Sequence, residues 1–286
     1  MTTINELKKE QSERWNGSMG ETWVQAQKFI DTMLRPVEKL LLEKASALDP
    51  KTVLDIGCGN GSTTLSIART IAPNGICTGI DLSKPMITNA LSQASVIGDD
   101  NTQFICADAS DYDFKQAKFD LFVSRFGVMF FPDPVKAFNN FRKVANDNAS
   151  LMIIVWRNLE ENDFMMVARS ACASLLSKSP YPDPTLPGPF SFGDPDRVKS
   201  ILQASGWSEI KLEAINIPCA FKSVDLDFFI TKLTPIGHDL NSLDDGVRDK
   251  LMRRVRNDYK PYIQNLKICF NAPCWLITAQ NKTILN

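Results

Sequence analysis

Histidine is nearly absent: His238 is the single one in 286 residues, which leaves imidazole-based catalysis and His-containing metal centres little to work with. The seven cysteines, at 58, 77, 106, 172, 219, 269 and 274, lack the paired spacing of a zinc knuckle, and the closest two, Cys269 and Cys274, have no second pair beside them. No metal site is expected. An odd count, with several thiols inside apolar runs, suits small buried hydrophobes in a reducing, cytoplasmic setting. Excess charge of either sign is missing too, with 32 Lys and Arg against 33 Asp and Glu and a net charge of −1. Nothing in that balance draws the chain to nucleic acid or to an anionic membrane. The densest basic run, Arg248 to Arg256, has helical spacing and reads as a solvated helix face. No stretch approaches the roughly 18 apolar residues of a membrane span, and the polar opening MTTINELKKEQSERW has no apolar centre of a signal peptide. Repeats and low-complexity tracts are absent as well.

What remains is ordinary globular material, 44% hydrophobic and 23% charged, enough for one large α/β domain or a core of about 150 residues with a smaller lid. Residues 5 to 48 are helix-prone up to the break at Asp49 and Pro50, and are placed to cover a core beginning at Lys51. From there short apolar runs alternate with amphipathic segments. Strands are expected at Thr52–Ile56, Gly75–Ile80, Thr102–Cys106, Phe119–Val123 and Leu151–Trp156, and helices at Ser62–Ile71, Lys84–Val96 and Pro134–Ala145. This is the rhythm of βαβ units and of a parallel sheet covered on both faces. Residues 180 to 195 hold six prolines, which restrict φ and remove backbone donors, so a loop is expected. A helix over Asp194–Ala204, a strand over Ser208–Ile217, helices within 225–260 and a last strand at Cys274–Ala279 complete the chain.

The segment Val53-Leu-Asp-Ile-Gly-Cys-Gly-Asn-Gly61 runs from a buried strand through Gly57, Gly59 and Gly61 into a helix. Without β-carbons the chain turns sharply and a ligand can lie on its peptide groups. The dinucleotide fingerprint G-x-G-x-x-G needs a third glycine where this chain has Ser62. Asp55, just ahead of the glycines, repels a pyrophosphate and suits an ammonium group, held directly or through water. The amino-acid end of S-adenosylmethionine carries such an ammonium and no phosphate. The second strand leads into Asp81, whose carboxylate can accept from both hydroxyls of a ribose. The third ends in Cys106-Ala-Asp-Ala109, where Asp108 suits an adenine amino group and Ala109 offers a backbone donor to a ring nitrogen. The fourth ends in Ser124-Arg-Phe-Gly127, beneath the expected reacting centre. Four strand ends thus carry suitable groups along one edge, where open α/β sheets bind ligands.

In order and spacing, the DIGCGNG, GIDLS and CADAS stretches resemble those of the class I S-adenosylmethionine-dependent methyltransferases, a group that includes the ubiquinone- and menaquinone-biosynthesis enzymes. The resemblance is best over residues 51 to 156. It implies an α/β fold, Rossmann-like, with a seven-stranded, mostly parallel sheet whose last strand is antiparallel, and helices on both faces. N-terminal helices and a helical, Pro-rich insertion are added to that core. The implied division is 1–50 as a helical cap, 51–156 as the cofactor core, and 157–286 as substrate-side insertions with the closing strands. S-adenosyl-L-methionine is the implied cofactor. Asp55, Gly57, Gly59 and Gly61 would hold its methionine part, Asp81 its ribose, and Asp108 with Ala109 its adenine, with Leu82 and Met86 also counted in the cofactor site. Ser124, Arg125 and Phe126 would lie below the sulfur. Arg14 to Trp23 and Ser124 to Pro134 further resemble a bacterial group of small-molecule methyltransferases. That likeness adds Trp15, which with Trp23 forms either a lid over the cofactor or an anchor for the N-terminal helices.

Methyl transfer from a sulfonium is an in-line displacement that needs alignment and exclusion of water, effects worth about 7 to 11 kcal/mol in well-oriented reactions. No catalytic residue is strictly required. If the acceptor needs a base, Tyr112, Tyr181, Asp133 and His238 are candidates, with an ordinary loop position the alternative for His238. Arg125 contacts the cofactor or an acidic substrate, or else closes an ion pair. Tyr181, Phe190 and Phe192 of the Pro-rich loop wall the acceptor or simply pack on the sheet. Cys58 reads as a packing thiol, since only the following helix N-terminus would lower its pKa. The Asn/Asp-Pro-Pro-Tyr/Phe run of amino-methylating DNA enzymes is missing, because Val135 follows Asp133-Pro134. The expected function is methylation of a small molecule, giving S-adenosylhomocysteine, by a chain that acts alone or as a homodimer. The alternative is an S-adenosylmethionine-binding regulator or scaffold without turnover. A nicotinamide oxidoreductase is disfavoured by the glycine spacing and by the lack of a Tyr-x-x-x-Lys pair.

Overall fold

The computed structural model describes residues 2–172, 183–234, 236–241 and 243–282, without the side chains of 238 and 241. Its strands are β1 (Thr52–Ile56), β2 (Ile76–Asp81), β3 (Thr102–Cys106), β4 (Phe119–Arg125), β5 (Ala145–Trp156), β6 (Ser208–Lys222), β7 (Ile263–Gln264) and β8 (Lys267–Gln280). They form one sheet in the order β3-β2-β1-β4-β5-β8-β6, with the two-residue β7 paired to β8. Strands β1 to β5 are parallel, and β8 runs antiparallel to both of its long neighbours. The expected seven-stranded path is therefore present, with β7 as a small addition. The chain leaves β1 toward β2 and β3 on one side and returns to β4 on the other. That reversal opens a crevice at the carboxyl ends of β1 and β4.

The helices are α1 (Ile4–Asn16), α2 (Ser18–Gln25), α3 (Gln27–Met33), α4 (Arg35–Ser46), α5 (Ser62–Thr70), α6 (Lys84–Ile97), α7 (Pro134–Lys143), α8 (Asp163–Cys172), α9 (Pro195–Ala204), α10 (Leu226–Phe228), α11 (Gly237–Asn241) and α12 (Asp245–Asp258). A π-helical turn, Phe229–Leu233, continues α10. Several starts follow from side-chain caps: Thr3 and Glu6 form a capping box on α1, and Ser83, Asp133 and Asp194 accept from the first-turn N–H groups of α6, α7 and α9. Among the described residues, no helix is long and apolar enough to cross a membrane.

The apolar runs of the central strands alternate between two cores, as period-two side chains must. Val53, Leu121, Val123 and Ile154 face Val37 and Leu41 of α4 and Ile67 of α5, while Leu54, Phe122 and Ile153 face Phe138 and Phe141 of α7. The expected bounds of β1 and β3 hold. The C-terminal half departs more. β5 begins at Ala145, six residues before the expected Leu151, because Phe119 pairs with Ala145 across a register shift. The polar stretch Asn146 to Ser150 lies within β5, and Asn148 adopts φ 62°. β8 starts at Lys267 rather than Cys274, extending past the end of β5 to pair with β6 as far as Lys222. Pro273 is tolerated there: its carbonyl accepts from Arg157 N beyond the last β5 pair, so its missing donor breaks no ladder bond.

Candidate active site

A cavity of about 610 Å³ lies along the carboxyl edge of the sheet. Its floor begins at the glycine loop. Gly57 has φ 65°, and a β-carbon there would stand 2.7 Å from the Gly127 Cα, so the loops after β1 and β4 touch backbone to backbone. Ser124 reinforces this joint: its buried hydroxyl donates to Ile56 O at 2.7 Å and accepts from Gly127 N at 3.1 Å. Ser124 therefore does not line the cavity as expected, since its oxygen is spent on the two loops. Gly61, at φ 82°, likewise falls outside the cavity wall. Packed on Phe104 and Ala90, it opens α5 instead.

The acidic residues come next. Asp55 is 1% exposed and accepts from Thr64 Oγ1 at 2.7 Å. Burial pushes its carboxyl up to about 6, against the lowering influence of the Thr64 bond and Arg125. Asp81 accepts from Gly59 N and Ser83 N, both at 2.8 Å, so one carboxylate ties the glycine loop to the cap of α6. Burial raises its pKa despite those bonds. Leu82 and Met86 share this wall. Asp108 accepts from Ser110 N at 2.9 Å and is paired with Lys8 at 3.1 Å. The Lys8 ammonium also reaches Ser110 Oγ and Asp111. Burial lowers the pKa of Lys8, and its bonds to Asp111 and Asp108 outweigh that and raise it. Nothing in the local sequence marks Lys8, which meets Asp108 only because α1 reaches the loop after β3; Ala109 lies beside it on the wall.

The N-terminal helices close this side through polar contacts. Ser83 Oγ donates to Trp15 O, Asn16 bridges Leu82 O and Lys84 N, and Gln27, Asn60, Asn89 and Gln93 form an amide network. Trp15 lines the cavity and meets Trp23 and Phe130 edge-on. Its carbonyl ties α1 to Ser83 while its ring forms part of the cavity wall. Arg125 lines the cavity as well, with its guanidinium 3.3 Å from Asp31 and 3.9 Å from Glu38. Phe126 adopts φ 66°, an uncommon conformation for an aromatic residue, and stacks on Trp156 with centroids 4.3 Å apart.

Beyond Phe126 the cavity becomes apolar. Phe164, Met165 and Met166 of α8, Leu186 to Phe190 of the Pro-rich loop, Phe229 and Leu233 of the π turn, and Phe270 of β8 line it. Phe190 is thus wall, whereas Phe192 is core, packed on Phe138. Of the possible bases, Tyr112 and Asp133 lie outside the cavity. Asp133 serves instead as the cap of α7. Tyr181 and the side chain of His238 lie outside the described residues. The Cys58 thiol is buried, and that burial, with Asp81 and Asp55 nearby, pushes its pKa well up, which leaves it protonated and inert.

Residues 48–206, more than half of the chain, match the family model described as a methyltransferase domain. The chain belongs to this family. It is 30% identical over 109 residues to an aklanonic acid methyltransferase of a Streptomyces species (strain C5), a match covering 38% of this chain and 50% of that one. It therefore spans half the length of that relative. To the demethylmenaquinone methyltransferase of Staphylococcus carnosus (strain TM300) it is 24% identical, over 56% of this chain and 69% of that one. The fold resembles that of Haemonchus contortus phosphoethanolamine N-methyltransferase 2, solved with S-adenosyl-L-methionine, at TM-score 0.57 and 15% identity, covering 99% of this chain and 61% of that one. The methyltransferase family model begins at residue 48, four residues ahead of β1, and leaves the helices that roof the cavity outside its span.

Proposed function

We propose that this chain is a cytoplasmic, S-adenosylmethionine-dependent methyltransferase acting on a small molecule. One observation carries the reading: a single cavity joins the carboxylates at the ends of β1, β2 and β3 to an aromatic chamber beyond β4. The donor set fits the cofactor. A β-carbon on Gly59 would meet nothing nearer than Met86 Sδ at 3.7 Å, so the loop presents open backbone to a ligand. Each Asp81 oxygen already takes one backbone N–H and retains a lone pair for a ribose hydroxyl. Asp108 and Ala109 hold the adenine, Trp15 and Met86 cover it, and Asp55, under the loop, attracts the ammonium through water. Phe126 and Arg125 border the place where donor and acceptor meet. When bound, the cofactor supplies an activated methyl group; the protein aligns the acceptor against it and keeps water out.

Residues 1–50 act as the roof, 51–156 as the cofactor core and 157–286 as the acceptor side with the closing strands. Substituting Asp81→Ala removes a buried charged acceptor and two backbone bonds. S-adenosylhomocysteine is expected to bind at least tenfold more weakly, about 1.4 kcal/mol, in calorimetric titration. Unchanged affinity would remove Asp81 from the site and with it the proposed orientation of the cofactor.

A further inference from the structure

The near-neutral total charge conceals a local excess at one end of the sheet. Strands β6, β7 and β8 come together there: Lys222 and Gln264 both pair with Lys267, and Ser223 N donates to Leu266 O at 2.9 Å. The tip they form carries Val224, Ile263 and Leu266, which are 82%, 43% and 81% exposed. Leu266 is the most telling of them. The β7–β8 hairpin turns through Asn265 and Leu266 alone, at φ 48° and 62°, a left-handed pair that favours Asn followed by Gly. Leucine is disfavoured there by its backbone and gains nothing from burial, so neither local conformation nor packing accounts for it. An outlier of that kind points to a use outside the fold.

Cations surround this apolar tip. Lys222, Lys260 and Lys267 are exposed, and among the described residues none of them is paired with an acid. The acids nearest in sequence are Asp225 and Asp227. Arg256 takes up Asp227 through two bonds of 2.7 and 2.6 Å, which is where the basic run of α12 meets the tip. From Gln264 an open groove continues past Thr32 of α3, Arg35 and Lys39 of α4 and Asn271 of β8, and it holds no acid among the described residues. Phe270 lines both this groove and the apolar end of the main cavity.

We propose that this end of the sheet docks on an anionic lipid bilayer. Val224, Ile263 and Leu266 enter the headgroup layer, while the lysines of the tip and Arg35 and Lys39 of the groove face lipid phosphates. Apolar insertion and attraction to anionic headgroups add at such surfaces, and either alone is marginal. Three side chains cover far less than the roughly 800 Å² per partner of a stable protein–protein interface. A second copy of the chain would bring like charges face to face. Docking of this kind needs no spanning helix and holds whatever occupies the main cavity.

The test is co-sedimentation of the full chain with vesicles of phosphatidylcholine alone or mixed equally with phosphatidylglycerol. Binding to the mixed vesicles is expected to be at least about tenfold tighter, and to weaken as salt is raised. Asn suits the left-handed turn, so Leu266→Asn is expected to unfold in urea at or above the wild-type midpoint while its affinity for mixed vesicles falls about fivefold. The triple variant Lys222→Gln, Lys260→Gln, Lys267→Gln is expected to lose at least about tenfold. A control of equal charge on α1, α7 and α9, Lys9→Gln, Lys143→Gln, Lys199→Gln, is expected to bind as the wild type does. No binding to either vesicle, equal binding to both, wild-type affinity in Leu266→Asn, or equal losses from the two triple variants overturns the proposal. Displacement from vesicles by inorganic phosphate at constant ionic strength, the mark of a soluble-anion site, also overturns it. So does a dimer in sedimentation velocity that Leu266→Asn separates, the mark of a self-interface.

Discussion

At the end of the cavity proposed for the cofactor, the candidate binding groups come from consecutive strand ends, and the three carboxylates are already held: Asp81 by Gly59 and Ser83, Asp55 by Thr64, Asp108 by Lys8 and Ser110. At the acceptor end, side chains from α8, the Pro-rich loop, the π turn and β8 meet without any shared motif. The first end is pre-organised by hydrogen bonds within the protein, and the second is shaped by packing. Pre-organisation of this kind puts binding energy where the cofactor is invariant. Packing leaves the acceptor face open to change through side-chain size and charge.

Substitutions that strike the cofactor end should therefore damage fold and cofactor binding together. Gly57→Val places branched side-chain carbons against the Gly127 backbone at a positive φ, with no flexible neighbour to yield. A loss of at least about 3 kcal/mol in urea unfolding is expected, with no measurable binding of S-adenosylhomocysteine.

Asp55→Asn separates the two properties. The Asp55 carboxyl is held up at about 6 in the fold, above its unfolded value of 3.8. Between those values the native state binds more protons than the unfolded one, so its contribution to stability falls as pH rises from about 4 through about 6. The neutral Asn should remove that slope and stabilise the ligand-free protein at pH 7 by up to about 3 kcal/mol, while weakening cofactor binding. Urea unfolding at pH 5 and pH 7 checks the first, and calorimetry the second. A variant no more stable than wild type at pH 7 would show that Asp55 carries no burial cost.

Lys8→Met probes the roof. α1 buries only Gln11 among its own residues, so polar contacts and Trp15 hold it in place. Removing the Lys8 pair with Asp108, a partly exposed interaction, is worth about 1 kcal/mol. Release of S-adenosylhomocysteine should speed up roughly fivefold in stopped flow, with wild-type release approaching the same rate as salt is raised. Cys58→Ala is the smallest change. The thiol is buried and protonated, so cofactor affinity and turnover are expected within about twofold of wild type. Iodoacetamide at pH 8 should label the exposed Cys106 and spare Cys58.

The same contrast explains what the linear sequence reveals. Gly57, Gly59, Asp81, Asp108 and Phe126 each sit within a few residues of the strand that positions them, so their place at the cavity follows from local spacing. Gly61 and Ser124 share those motifs but serve the joints between loops, a distinction that depends on which way a side chain points. Lys8 is out of reach of local reasoning, because its partner lies a hundred residues on and only tertiary folding brings them together. Gly127 carried a readable signal, a glycine directly after the strand-ending Ser-Arg-Phe, although its close approach to Gly57 required the fold. The starts of β5 and β8 were hidden for a related reason: polar residues at 146–150 and Pro273 look unlike strand, and pairing with neighbours overrides that preference.

The measurement that bears most directly on the central claim is parallel calorimetry and thermal unfolding of the wild type with S-adenosylmethionine, S-adenosylhomocysteine and NAD. At a hundred times its dissociation constant, a ligand stabilises the fold by about 2.7 kcal/mol. The account predicts saturable binding and that gain for the two adenosyl ligands, and neither for NAD. Binding of NAD alone, or of none of the three, would contradict the assignment of the strand-end carboxylates and of the glycine loop between them.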